Sequence, residues 1–317
     1  MLTTPDESDA NRRAETAPLR AMLAQRIERH LGPARSIDTA VNGLSLYRCT
    51  GDGASFATIY APSLAVIVRG RKRIVVGSET YAYDESRFLL TAVDMPTIGD
   101  ILDSSPAEPY LSILLKLDFE LANSLIAEID LAAIETGGGG AMATGPATVD
   151  LIDAVNRLVG LLDSPKDVPI LGKLIEREIL YRVLTGPAGT RLRQTVSLGT
   201  QANRAARVIA WMRDNYFSPV RVEMLAELAA MGVSTLHHHF RALTGMSPLQ
   251  YQKHLRLHEA RRLMLSEAID AGSAALRVGY ESPTQFSREY RRLFGAPPKR
   301  DVMALRAEAQ ELVPAGA

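Results

Sequence analysis

The chain is poor in the residues that most site chemistry uses. Its 317 residues include one cysteine, one tryptophan and six histidines. A lone Cys49 excludes an intrachain disulfide and fits a reducing compartment, the cytoplasm. No apolar run approaches the roughly 20 residues that a membrane span needs, so no membrane partner is expected. The opening "MLTTPDESDANRRAE" lacks the apolar centre of a secretory signal, and 1–17 reads as a disordered tail. Residues 41–117 hold no histidine. A metal centre on strands would need two or three, with a carboxylate, so neither a metal nor another cofactor is expected. No nucleophile elbow, dinucleotide fingerprint or Walker motif appears, and the chain does not read as an enzyme. "TGGGGAMATGP" (136–146) is glycine-rich, but no lysine follows and no strand-to-helix pattern frames it. It reads as a flexible loop.

What is present is unevenly spread. Net charge is zero, yet residues 200–300 carry 15 Lys and Arg against 8 Asp and Glu, leaving 21 against 28 elsewhere. A basic segment on an acidic protein suits a polyanion partner. "PLRAMLAQRIERHL" (18–31) has a helical period that Gly32 ends. Between 41 and 117, runs such as "GLSLYRCT", "LAVIVRG", "RKRIVVG", "SETYAYD" and "YLSILLKLD" read as short strands. Turn signals, among them Asp94-Met95-Pro96, separate them. "FELANSLIAEI" (119–129) and residues 147–185 return to a helical period. Residues 185–200 read as a linker, and the pattern is helical from Gln201 to about Ala309.

A repeat lies within that last stretch. "LHHHFRALTGMSP" (236–248) superposes on "FSREYRRLFGAPP" (286–298) after a shift of 50 residues. Leu236, Phe240, Leu243, Gly245 and Pro248 fall on Phe286, Tyr290, Leu293, Gly295 and Pro298. A short helix precedes each copy, with turns expected at Gly232 and Gly279. Helix, glycine turn, helix is a helix-turn-helix pattern. Ser282-Pro283 supplies a cap and a first-turn proline, and Gln285 would complete a capping box. Ser247, Pro248 and Gln250 do the same for a long helix, 248–265.

Three adjacent histidines on one helix cannot converge on one ion, because neighbours point about 100° apart. With Leu236, Phe240 and Leu243 facing a core, Ser234, His237, His238 and Arg241 share the opposite face, while His239 sits at the core edge. The matching face of the second copy carries Thr284, Ser287, Arg288 and Arg291. These side chains hydrogen-bond base edges or phosphates. A plain solvated helix face is the competing reading, but such faces usually mix charge signs and these do not. His254 and His258 have the i, i+4 spacing of a zinc pair without the glutamate of H-E-x-x-H, so a structural role is expected.

The stretches "LAELAAMGVSTLHHHFRALTGMSPLQYQKHLRLHEARRLM" and "ALRVGYESPTQFSREYRRLFGAPP" resemble the double helix-turn-helix of the AraC/XylS family of transcription regulators over about 201–303. The resemblance implies an all-α DNA-binding domain whose two reading helices enter successive major grooves. It implies base-facing roles for Ser234, His237, His238, Thr284, Gln285, Ser287 and Arg288, and backbone contacts for Arg241 and Arg291. "PSLAVIVRGRKRIVVGSETYAYDESRFLL", "DMP" and "EPYLSILLKLD" are similar to the sensor half of one branch of that family. They imply a cupin-like β-barrel binding a small-molecule effector.

The expected fold class is therefore α+β. A cupin-like sensor (18–130), a helical dimerisation or connector segment (147–185) and a linker (186–200) precede the DNA-binding domain (201–303). The expected function is sequence-specific transcription regulation in response to an effector. Its partners would be double-stranded DNA, RNA polymerase and a second copy of the chain. The rival is a small-molecule-binding or enzymatic cupin with a non-functional helical tail. Alternation along "SLAVIVRG" puts Val66, Val68 and Gly70 on one face and Ile67 and Arg69 on the other. If the second face is inward, Arg69 becomes an effector-binding cation.

Overall fold

The computed structural model describes residues 7–51, 55–77, 79–129 and 140–311. The chain divides into two compact units, residues 1–207 with 238–245, and residues 208–237 with 246–317.

The first unit opens with helix α1 (Glu7–Leu31) and continues through strands β1 (Ser36–Asp38), β2 (Leu44–Cys49), β3 (Ser55–Tyr60), β4 (Ser63–Arg69), β5 (Arg71–Val76), β6 (Glu79–Asp84), β7 (Arg87–Thr91), β8 (Met95–Leu102) and β9 (Tyr110–Lys116). Helix α2 (Phe119–Glu128), strand β10 (Met142–Pro146) and helices α3 (Val149–Gly160), α4 (Val168–Thr185) and α5 (Gly189–Val196) follow. One six-stranded sheet runs β1-β2-β9-β4-β7-β10, and a four-stranded sheet runs β3-β8-β5-β6. All the pairings are antiparallel.

Strand β4 is buried on both faces, and its alternation sorts the two environments. Leu64, Val66 and Val68 join the core made with α1, α3 and α4, which includes Ile27, Leu151, Val155 and Ile179. Ala65, of the opposite parity, faces a cavity. Burying this many aliphatic side chains, at about 1.5–3 kcal/mol each, is the main force holding helices and sheet together.

Several expectations change here. The segment 1–17 is not a tail throughout: α1 begins at Glu7 and runs through Pro18. Its polar first turns are fastened by ion pairs that hydropathy does not reveal. Arg13 meets Asp84 at 2.5 Å, and Asp9 pairs with Arg12 and Arg87. The expected loop 136–146 contains a strand: Met142–Pro146 pairs with β7, Met142 opposite Thr91 and Pro146 opposite Arg87. Residues 136–139 lie outside the described residues. Met95-Pro96, read as a turn, starts β8, where Pro96 stands opposite Ile59 of β3. The presumed linker carries α5, whose Leu192 and Val196 belong to the main core.

Helix α6 (Gln201–Asp214) leads to α7 (Val222–Leu228), α8 (Val233–Thr244), α9 (Pro248–Ser266), α10 (Ala271–Arg277), α11 (Pro283–Phe294) and α12 (Pro298–Glu311). The core of the second unit gathers Leu257 and Leu263 of α9, Ala274 of α10 and Phe286 and Tyr290 of α11. Arg256 of α9 ties the connections together. Its guanidinium donates to the carbonyls of Tyr216, Phe217 and Ser218 and to that of Gly279. Asp301 of α12 accepts a bidentate bond from Arg261, both contacts at 2.8 Å, and one from the Tyr290 hydroxyl at 2.7 Å.

Candidate nucleic-acid interface and effector cavity

Helices α8 and α11 are 12 residues each, and their starts lie 50 residues apart. Both preceding turns close with the same bonds. Met231 N–H donates to the Ala226 carbonyl, and Tyr280 N–H to that of Ala275, each at 2.9 Å. The left-handed residue is Gly279 (φ 87°) in the second turn but Ala230 (φ 50°) in the first, so Gly232 is not the turning residue expected there. Gly279 is required twice over, since a Cβ there would lie 2.2 Å from the Phe217 carbonyl oxygen. Gly245 and Gly295 end the two helices at φ 70° and 81°.

Ser247 and Gln250 form the full capping box on α9. On α11, Ser282 accepts from the Gln285 N–H at 3.3 Å, but the Gln285 amide turns to Glu289 instead of reaching back. That box is half closed.

On α8, Leu236, Phe240 and Leu243 are buried, while Ser234, His237, His238 and Arg241 are exposed. On α11, Phe286 and Tyr290 are buried, while Thr284, Gln285, Ser287, Arg288 and Arg291 are exposed. Among the described residues none of Arg241, Arg288 and Arg291 has a carboxylate partner. Other arginines of the helical region do: Arg262 pairs with Glu259, Arg277 with Glu267 and Arg261 with Asp301. Glu289 lies beside the second stripe, but it is half-buried and held by the Tyr280 hydroxyl and Lys253. His239 is half-buried, its ring edge-on to His238 at 5.1 Å, and burial holds its pKa below the ordinary histidine value. His258 is buried against Phe294, and burial pushes its pKa down to about 3.

The first unit contains a cavity of about 390 Å³ lined from β2, β3, β4, β5, β8 and β9. Arg69 does not line it. The β4–β9 register shifts between Ile67 and Arg69, so Ile67 faces Ser112 and Arg69 faces Leu111. Such a bulge inserts Val68 and reverses the alternation that follows. Arg69 then turns to α1, where it pairs with Glu28 at 3.0 Å. The expected role of Arg69 in holding an effector is withdrawn.

Lys72 is the cation inside. On β5, Ile74 and Val76 are buried, while Arg73 and Val75 are exposed. Lys72 shares the parity of the buried pair and points inward. It keeps some accessible surface, as a residue lining a cavity must. Its Nζ donates to Tyr60 Oη at 2.6 Å and sits 4.1 Å from the centre of the Phe56 ring. Burial lowers its pKa from the ordinary lysine value. Burial likewise raises the pKa of Tyr60, Tyr83 and Tyr110, keeping these phenols neutral. The sequence signal for Lys72 was there to read: alternation in "RKRIVVG" puts it in register with Ile74 and Val76. Cys49 lines the same cavity. Among the described residues no three or more His, Cys, Asp or Glu gather as metal ligands, and no helix is long and apolar enough to cross a membrane.

Comparison with known proteins matches both halves. Residues 40–191 fit the family described as "AraC-type transcriptional regulator N-terminus", and residues 225–301 fit "Helix-turn-helix domain". The HTH-type transcriptional activator RhaS of Salmonella paratyphi B is 29% identical over 152 residues, 47% of this chain and 53% of RhaS. The chain thus spans about half the length of the curated relatives it matches. The crystal structure of apo ToxT from Vibrio cholerae aligns over 84% of this chain and 99% of ToxT, with a TM-score of 0.58 and 12% identity. ToxT with an unsaturated fatty acid bound aligns over 82% and 94%, at 0.54 and 12%. At that identity the likeness is one of fold. A sensor-type N-terminal half, a repeated helix-turn-helix after it and similarity to RhaS converge on one finding: over both halves the chain is similar to the AraC/XylS family of transcription regulators.

Proposed function

We propose that this protein is a sequence-specific DNA-binding transcription regulator governed by a small molecule held in its N-terminal cavity. The observation that carries the reading is the pair of matched helices, each presenting an exposed polar stripe whose arginines lack carboxylate partners among the described residues. In this reading Ser234, His237, His238, Thr284, Gln285, Ser287 and Arg288 read base edges, while Arg241 and Arg291 hold phosphates. The chain acts in the cytoplasm, is not an enzyme, and contacts RNA polymerase at its promoters. A second copy packs on α4, where Ile170, Leu171, Leu174 and Tyr181 are exposed hydrophobic residues. Monomer mass independent of concentration would overturn that last point. The two-sheet N-terminal half with its internal cavity supports the effector role, as does the fatty acid found in ToxT, a fold neighbour. The effector shifts a conformational equilibrium only as far as its affinities for the two states differ.

The experiment is a titration of promoter fragments at several salt concentrations. Arg288→Ala should cost about 1–3 kcal/mol on the cognate site and relax preference at the base pairs it reads. Arg291→Ala should weaken all sequences alike and lower the salt slope by about one unit. Binding that survives deletion of 201–303 would refute the assignment.

A further inference from the structure

Resting on the effector reading above, we infer that the cavity takes a small amphipathic organic carboxylate, its headgroup held by Lys72 Nζ and Tyr60 Oη and its apolar body laid against Phe56, Ile101 and Leu114. Four observations meet at this point.

First, among the described residues the cavity wall contains no aspartate or glutamate, whereas Arg48, Lys72 and Lys116 all line it. Lys116 is exposed and the Arg48 guanidinium donates to the Ala34 carbonyl at 3.1 Å. Lys72 is the cation left to the interior. Second, Lys72 has no carboxylate partner among the described residues. Its one hydrogen-bond acceptor is the Tyr60 phenol, and the rings of Phe56, Tyr60 and Tyr110 surround it at 4.1, 5.3 and 5.9 Å. Neighbouring basic residues on the same strand do have carboxylates: Arg71 meets Asp103 and Arg73 meets Asp100.

Third, the surrounding groups are rich in donors. When the ammonium donates to Tyr60 Oη, the phenol's own hydrogen is free to donate onward. Tyr83, opposite Lys72 on β6, has a buried hydroxyl without a hydrogen-bond partner. Unused buried donors around one amine, with no anion among the described residues there, form a receptor for an oxyanion. Fourth, burial already disfavours the ammonium ion here, and a carboxylate would remove that penalty. Most of the remaining wall is apolar, which suits a hydrocarbon or aryl body and disfavours a doubly charged phosphoryl group.

The test uses the full chain and pairs of probes that differ only in the headgroup. Octanoate and cinnamate are compared with octanol and cinnamyl alcohol by calorimetry and by thermal shift. The acids should bind about 10–100-fold more tightly than their alcohols, the range of a hydrogen bond to a charged group. Lys72→Met, which exchanges an amine for a thioether of similar length, should erase that preference while leaving alcohol binding in place. Tyr60→Phe should reduce it in part. If neither acid binds, if acid and alcohol bind alike, or if the preference survives in Lys72→Met, the inference falls. A folded Lys72→Met protein is checked by an unchanged circular dichroism spectrum and a cooperative thermal transition. Acid binding that leaves promoter affinity unaltered supports the carboxylate site and counts against the effector role. Absence of promoter binding in the unmodified protein counts against the regulator reading alone.

Discussion

His258 offers a quantitative test of how the DNA-binding half is built. It lies on α9 with 5% of its surface exposed. Neither ring nitrogen has a hydrogen-bond partner, and its ring stands edge-on to Phe294 at 5.4 Å. Burial first, then the neighbouring His254 and Arg261, pushes its pKa from 6.5 to about 3. The unfolded chain therefore takes up a proton that the folded chain refuses. Stability from this site is fully present above the unfolded pKa of 6.5, and it is lost as pH falls from there toward 3. Linkage arithmetic gives a loss of about 2 kcal/mol at pH 5 and about 3 kcal/mol at pH 4, relative to neutral pH. His258→Leu removes the titration and, since the ring makes no hydrogen bond, sacrifices none. The assay is urea unfolding of the full chain, followed through Trp211 fluorescence. Trp211 is the sole tryptophan and belongs to the same unit as His258. The unmodified protein should lose those amounts on acidification beyond what His258→Leu loses. Equal losses in both proteins would show that the imidazole is not held neutral, and the reasoning would fail.

Three further outcomes are expected. Gly279→Ala should cost about 2 kcal/mol or more in the same unfolding assay, because backbone conformation and a carbonyl contact both oppose it. Gly295→Ala, at a similar φ but with nothing near its Cβ, should cost about 1 kcal/mol, and equal costs would contradict the steric argument. Asp301→Asn should cost about 3–5 kcal/mol, because the Arg261 guanidinium, 11% exposed, is left without its counter-charge; a loss near zero would refute that. Cinnamate affinity should fall as pH rises from neutral to alkaline, because the Lys72 ammonium loses its proton earlier than an ordinary lysine. The groups bearing on Lys72 are Tyr60, Tyr110 and Cys49. Lys72→Arg should show a flatter profile, and identical profiles would count against Lys72 as the anchor.

The repeat was legible because a helix turn writes its buried face into spacing. Leu236, Phe240 and Leu243 recur as Phe286, Tyr290 and Leu293, and all but the half-buried Leu293 are buried. Most strands were legible for the equivalent reason at period two. The failures have specific causes. Polar residues 7–17 are helical through ion pairs with Asp84 and Arg87, partners more than 70 positions away. Arg69 was misplaced because a bulge is an event between two strands, and one strand's sequence does not announce it. Ala230 is not legible because glycine is the usual sequence mark of a left-handed turn, and here helix-end bonds hold a residue with a side chain at positive φ. Lys72 was missed because a lysine in a strand reads as surface until the parity of its neighbours is counted.

The two helix-turn-helix copies differ by one residue in an instructive place. Their second helices are offset by 50 positions, yet the left-handed residues Ala230 and Gly279 are offset by 49. Surface letters are therefore portable between copies: the exposed set from one reading helix can be written onto the other at positions that correspond one to one. The hinges are not portable. An Ala230-type hinge placed in the second copy would be one residue short and would drive a methyl group into the Phe217 carbonyl. Recoding what this protein recognises is thus a matter of substitution within α8 and α11, whereas shuffling whole copies would break the second one first.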